Sequence, residues 1–180
     1  MHIEETPFRG LLVIQPKVFG DERGYFFESW NEESFQKAGL DVAFSQDNQS
    51  SSQKGVIRGL HFQVPPFEQG KLVRTVRGAV IDVVVDLRKD EPTFGQHFKL
   101  RLDDRMHTML YIPAGFAHGF VSLEENTIFV YKCTKVYNKE CDSALRWDDP
   151  DLGIDWDVDT PILSDKDRQA GFLKDFVSPF

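Results

Sequence analysis

Two histidines stand where a β-barrel protein could do chemistry. His61 lies in RGLHFQ (58–63) and His118 in PAGFAHGF (113–120), each within an apolar, strand-like run. A metal-binding barrel would place a second histidine two residues after the first, but position 63 is glutamine. The next acid, Glu68, follows the rigid pair Pro65-Pro66. His61 and His118 alone leave a first-row metal short of the three or four protein ligands of catalytic sites. The expectation is therefore no metal, unless Glu68 or His107 folds in. Without a metal, a buried histidine is either a core residue satisfied by a backbone carbonyl or a general base oriented by a carboxylate. Arg58, Lys71 and Arg74 crowd the same stretch, and cations at that density on barrel strands suggest an anionic ligand.

Strand parity sets a condition on this reading. In a regular strand His61 shares a face with Gly59 and Gln63, and Arg58 points the other way. Both can line one cavity only if the strand is irregular near Gly59, where a bulge is easily accommodated. In FVYKCTKVY, Tyr131 shares a row with Phe129 and Cys133, while Val130 and Lys132 take the other face. Such a tyrosine is a core residue or, if its row faces a cavity, a group able to deliver a proton to a carbanion. In DERGYFFESW, Arg23-Gly24 reads as a turn, with Phe26 and Glu28 in phase beyond it. That segment could bind a nucleobase and phosphate, or simply carry a solvated ion pair. QDNQSSSQKGV by itself reads as a polar loop, although its amides could instead read a base edge.

The frame that must hold these groups is written mostly in strand signals. LLVIQPKVF, KLVRTVRGAVIDVVVDL, HFKLRL, TMLYIPAGFAHGFVSL and NTIFVYKCTKVY are rich in β-branched and aromatic residues, with Gly, Pro and Asp turns between them. Two short helices are predicted: NEESFQKAGL, capped by Asn31 and stopped at Gly39, and SDKDRQAGFL, capped by Ser164. The 180 residues read as one domain, 1–180, long enough to bury a full core. The formal charge of -8 argues against nucleic-acid or anionic-membrane binding, so an anion must be caught by a local cluster of cations. The start, MHIEETPFRG, lacks a secretory signal pattern, and the longest apolar run, GAVIDVVVDL, is cut by Asp82 and too short to span a bilayer. Cys133 and Cys141 are read as free thiols in a cytoplasmic protein. RGLHFQ, the turn at Arg77-Gly78 and PAGFAHGF together resemble the two-motif layout of the cupin jelly roll. The fold expected is mainly β, a cupin-type jelly roll with a few short peripheral helices.

Eight segments in order strongly resemble the dTDP-4-dehydrorhamnose 3,5-epimerase family: FGDERGYFFESW, FSQDNQSSS, GVIRGLHFQ, QGKLVRTVRGAVIDVVVDLR, YIPAGFAHGF, VYKCT, RWDDPDLGIDW and LSDKD. The resemblance implies an isomerase without a cofactor. It would convert dTDP-4-dehydro-6-deoxy-α-D-glucose to dTDP-4-dehydro-β-L-rhamnose by inverting C3 and C5, which flank the C4 ketone. It implies that His61 abstracts the protons, that Asp167 of the LSDKD segment orients it, and that Tyr131 reprotonates from the opposite face. Lys71 would stand close to the developing enolate. Arg23, Phe26, Glu28, Gln46, Asp47 and Asn48 would hold the thymidine diphosphate, with Arg58 on phosphate and His118, Tyr137 and Lys166 completing the cavity. The family also implies a homodimer in which the N-terminal segment serves the neighbouring site. The chain departs from the family pattern in NKECDSALRWDDP, where Asp142 replaces a glutamate. A substrate contact at Asp142 stays open, as does epimerisation of one carbon alone. The retained His61, Asp167 and Tyr131 favour the double epimerase over a single-site enzyme or a module that only binds.

Overall fold

The computed structural model describes residues 1–180. Its elements run β1 (His2–Glu5), β2 (Leu12–Gln15), β3 (Phe19–Asp21), β4 (Gly24–Phe26), α1 (Glu32–Lys37), β5 (Gln46–Ser52), β6 (Ile57–Gln63), β7 (Lys71–Arg77) and β8 (Ala79–Asp86). There follow β9 (His97–Asp103), β10 (Met109–Ile112), β11 (Phe116–Ser122), β12 (Thr127–Cys133), β13 (Asp142–Ala144), α2 (Asp165–Arg168) and a 3-10 turn at Leu173–Asp175. Two antiparallel sheets face each other, one ordered β1-β2-β10-β7-β12-β5 and the other β13-β6-β11-β8-β9. The jelly roll expected from the sequence is the fold observed.

β8 is buried on both of its faces, which explains why GAVIDVVVDL shows no alternation. Val80 and Val84 of β8 meet Val73, Leu110 and Phe129 of the opposing sheet between the two layers. Val83 and Val85 point the other way, into a cluster with Leu145, Leu152 and Trp156, against which Phe176 and Phe180 pack. The outer face of the first sheet is closed by α1, whose buried Phe35 packs with Ile14, Leu72 and Met109. This helix starts as the sequence predicts: Asn31 Oδ1 accepts a bond from Ser34 N at 3.0 Å, and Gly39 takes a positive φ of 97° after its end.

The segment read as a polar loop, QDNQSSS, is instead the edge strand β5, paired residue for residue with β12. Its polarity misled because neither face is dry: one lines a cavity and the other faces solvent. Cys133 and Cys141 are unpaired and both buried. No helix is long and apolar enough to cross a membrane.

The irregularity expected near Gly59 is present. In the β6–β11 ladder His118 pairs with His61 and Phe120 with Arg58, so three steps on β6 match two on β11. Ile57 and Leu60 thus both pack outward, and Arg58 and His61 both line the cavity inside. The Gly59–Leu60 and Pro65–Pro66 peptides are cis. Gly59 has φ 148°, and a Cβ there would stand 2.5 Å from Gly119 Cα. Gly59→Ala is expected to cost on the order of 3 kcal/mol from backbone strain and overpacking together. A melting temperature equal to wild type would show that the strands can separate without penalty.

Candidate active site

Between the sheets lies an open cavity of about 310 Å³, lined by Gln46, Asn48, Arg58, His61, Lys71, His118, Tyr131, Tyr137, Asp142 and Lys166 among others. His61 is mounted on β6 of one sheet and Tyr131 on β12 of the other. Placing them on different sheets puts imidazole and phenol on facing walls.

His61 Nε2 lies 2.5 Å from Asp167 Oδ1. Asp167 reaches it through the local chemistry of SDKD. Ser164 Oγ accepts a bond from Asp167 N at 3.1 Å, capping α2, and donates to Asp167 Oδ2 at 2.8 Å. The carboxylate is thus held at both oxygens, Oδ2 by the Ser164 cap and Oδ1 by His61. Burial acts to raise the Asp167 pKa, but the hydrogen bond and charge of His61, helped by Ser164 and Lys166, outweigh it and hold the carboxyl below the ordinary aspartate value. An ionised carboxylate only accepts, so Nε2 carries the proton and Nδ1 is left with its lone pair.

Because its folded pKa is depressed, Asp167 contributes stability that is full above pH 3.8 and is lost as the pH falls through the lower folded value. The melting-temperature gap between wild type and Asp167→Asn should therefore hold steady above pH 3.8 and narrow in more acid solution. A gap independent of pH down to acid unfolding would count against the pairing.

Lys71 is buried, with its Nζ 3.4 Å from the carbonyl oxygen of His61. Burial pulls its pKa below the ordinary lysine value, against the opposing pull of Cys133, Asp82 and Asp142. Burial raises Tyr131, with Cys133 adding to the shift and Arg58 opposing it, so the phenol keeps its proton near neutral pH. Arg58 donates to Ser52 Oγ at 3.1 Å and to the Ser51 carbonyl at 3.2 Å, which steadies its guanidinium at the cavity wall. At the mouth, Asp142 Oδ2 accepts from Lys166 Nζ at 2.5 Å and from the Tyr137 hydroxyl at 3.2 Å, tying β13 to the helix that carries Asp167. Arg58, Lys71 and Lys166 give this cavity its local positive charge in a chain of net charge -8.

Gln63, in the position where a metal site would have its second histidine, has a structural task. Its Nε2 donates to the carbonyls of Phe67 at 2.6 Å and Val136 at 3.3 Å, and its Oε1 accepts from Asn138 N at 2.7 Å. Glu68 is bound to Lys135 at 2.6 Å, and His107 lies against Tyr25 and Phe27 at ring distances of 4.4 and 5.0 Å. Neither joins His61 and His118.

Four residues expected at the site are not brought to this cavity within one chain. Asp47 sits between Gln46 and Asn48 on β5, so alternation turns it outward, where it binds Lys132 at 2.9 Å. Arg23 pairs with Asp21 at 2.5 Å in the turn of the β3–β4 hairpin, and Phe26 beside it is 67% exposed. Glu28 accepts from Asn31 Nδ2 at 2.7 Å. The sequence reading also missed Ser50, Gln69, Phe120 and Phe129, which line the cavity, and Asp82, which lies behind His118 at 2.8 Å. Parity along β5 could have found Ser50, and a lone acid in an apolar run was a signal for Asp82.

The family model for dTDP-4-dehydrorhamnose 3,5-epimerase matches residues 5–175. The chain belongs to this family. It is 52% identical over 167 residues to the dTDP-4-dehydrorhamnose 3,5-epimerase of Methanothermobacter thermautotrophicus, covering 91% of this chain and 90% of that one. Among solved structures, it is similar to the family's enzyme from Bacillus anthracis with TDP and PPi bound, at TM-score 0.93 and 46% identity, covering 96% of this chain and 99% of that one. It is similar also to the 3,5-epimerase of Legionella pneumophila in complex with dTDP-4-keto-L-rhamnose, at TM-score 0.93 and 43% identity, over 98% of this chain and 94% of that one. Membership in the family is thus carried by nearly the whole fold as well as by the motifs around the cavity.

Proposed function

We propose that this protein epimerises dTDP-4-dehydro-6-deoxy-α-D-glucose at C3 and C5, giving dTDP-4-dehydro-β-L-rhamnose. The observation that carries this reading is the pairing of His61, backed by Asp167, with Tyr131 on the facing wall of one cavity. Inversion needs a base on one face of the sugar carbon and an acid on the other. His61 Nδ1 takes the proton from the carbon beside the ketone, and the C–H electron pair moves to the C4 oxygen as an enolate. Tyr131 then returns a proton to the opposite face of the same carbon. The C4 ketone serves both neighbours, so one set of groups suits both inversions.

Lys71 suits the C4 oxygen. Burial weakens the hold of its ammonium on the proton, and the negative charge forming on the oxygen restores it, so their attraction grows toward the transition state. Arg58, with the amides Gln46 and Asn48 on β5, supplies donors for the diphosphate end.

The homodimer belongs to this reading too. Arg23, Phe26 and Glu28 stand outside their own chain's cavity, and an exposed aromatic beside an arginine is suited to a nucleotide held by the neighbouring subunit. Sedimentation should give a mass twice that of the chain, and a monomer that remains fully active would remove the exchange.

The decisive experiment is turnover of the 4-keto sugar nucleotide in deuterated water. Deuterium at both C3 and C5 is the expected result. Label at one carbon alone would make the protein a single-site epimerase, and no label at either would end the enzyme reading.

A further inference from the structure

One buried imidazole has no part in the cavity. His107 sits in the turn between β9 and β10, 8% exposed, with a left-handed backbone at φ 54°. That conformation is uncommon for a residue with a side chain and persists where its surroundings impose it. Asp103 imposes it here. Its Oδ1 accepts from Arg105 N at 3.0 Å and Met106 N at 2.8 Å, and its carbonyl accepts from His107 N at 3.3 Å. On the other side Thr108 Oγ1 accepts from Gln15 Nε2 of β2 at 2.5 Å. The turn is fixed at both ends, and what it presents is one ring.

That ring meets the β3–β4 hairpin, which joins neither large sheet and is exposed at every residue from Phe19 to Phe26. Alternation divides the hairpin's side chains. Tyr25 and Phe27 turn to the body, with ring centroids 4.4 and 5.0 Å from His107, and the Arg74 guanidinium lies 5.7 Å from the Phe27 ring. Phe26, paired with Phe19 across the ladder, turns the opposite way and stays free.

We propose that His107 is a positioning residue for the neighbouring subunit's site: it docks the hairpin so that Arg23, Phe26 and Glu28 reach the nucleotide end of the ligand in the partner's cavity. This rests on the homodimer exchange proposed above. His107 touches no substrate and acts through Tyr25 and Phe27. A two-stranded ribbon is marginal by itself in water, so without the ring contacts it samples many poses from which the nucleotide must select one. The loss falls on binding, because His61, Tyr131 and Lys71 belong to the cavity's own chain.

Two variants test it. His107→Asn keeps a residue that tolerates the left-handed turn and removes the ring. Tyr25→Ala removes the other half of the contact at a position 59% exposed, where no core packing is lost. In both, amide hydrogen exchange within the hairpin should quicken by about tenfold, the scale of the lost ring contacts. KM for the 4-keto sugar nucleotide should rise by about tenfold, with kcat within about twofold of wild type. Mixed dimers then locate the defect. When wild type is paired with the double variant His61→Ala, His107→Asn, the one working cavity receives the altered hairpin, and KM should be raised. When His107→Asn is paired with His61→Ala, the working cavity receives an intact hairpin, and KM should be that of wild type. Any other pattern across the two mixtures, or unchanged hairpin exchange in both single variants, would overturn the proposal. A fully active wild-type monomer would instead end the exchange reading, and this role with it.

Discussion

His61→Ala is expected to abolish deuterium incorporation at C3 and C5 together and to lower turnover by about 10² to 10⁴, the range for a positioned general base. The physical reason is that both carbons share the C4 ketone and one imidazole nitrogen stands free of the protein to take their protons. The nucleotide end of the ligand is met by other residues, so dTDP affinity should change little. A companion variant separates chemistry from stability. Removing the ring leaves Asp167, 4% exposed at its side chain, without its imidazole partner, a cost of about 1–3 kcal/mol. Adding Asp167→Asn should recover part of that stability and none of the activity, since base and orienting acid act as one unit. Exchange surviving at either carbon in His61→Ala would prove that another base serves it.

Tyr131→Phe should divide the reaction. The aromatic ring and its packing against Phe129, at a centroid distance of 6.3 Å, are retained, and only the acidic hydroxyl is lost. His61 still removes a proton and can return one from solvent to the face it left. Substrate should therefore pick up deuterium with its configuration unchanged, while epimerised product falls by at least about 10². Burial holds the phenol above its ordinary pKa, so wild type should keep this donor charged with its proton across neutral pH. Unaltered product formation in Tyr131→Phe would assign the donor elsewhere.

Much of this site could be read from the chain because strand parity is strict. Once TIFVYKC is a strand, Tyr131 shares a row with Phe129 and Cys133, and that row does face the cavity. The bend at Gly59 was legible for the same reason, as the one way to aim Arg58 and His61 at a common ligand. Parity was available on β5 too, yet the polar run there disguised a strand whose two faces are both wet. Asp47, which the family resemblance implies as a contact to the thymidine diphosphate, lies on the face of β5 turned away from its own chain's cavity, bound to Lys132.

The sequence by itself determined the strand-rich fold, the caps of both helices and, through eight ordered motifs, the family. Those features rest on local propensity and on spacing along the chain. Partners far apart in sequence were decided by the tertiary structure alone. Asp167 meets His61 across 106 residues, and Asp82 meets His118 across 36, because ladder register and a capped turn bring them together. A lone acid in an apolar strand carries no mark of which imidazole it will hold. Only the closing of two sheets over one cavity makes that choice.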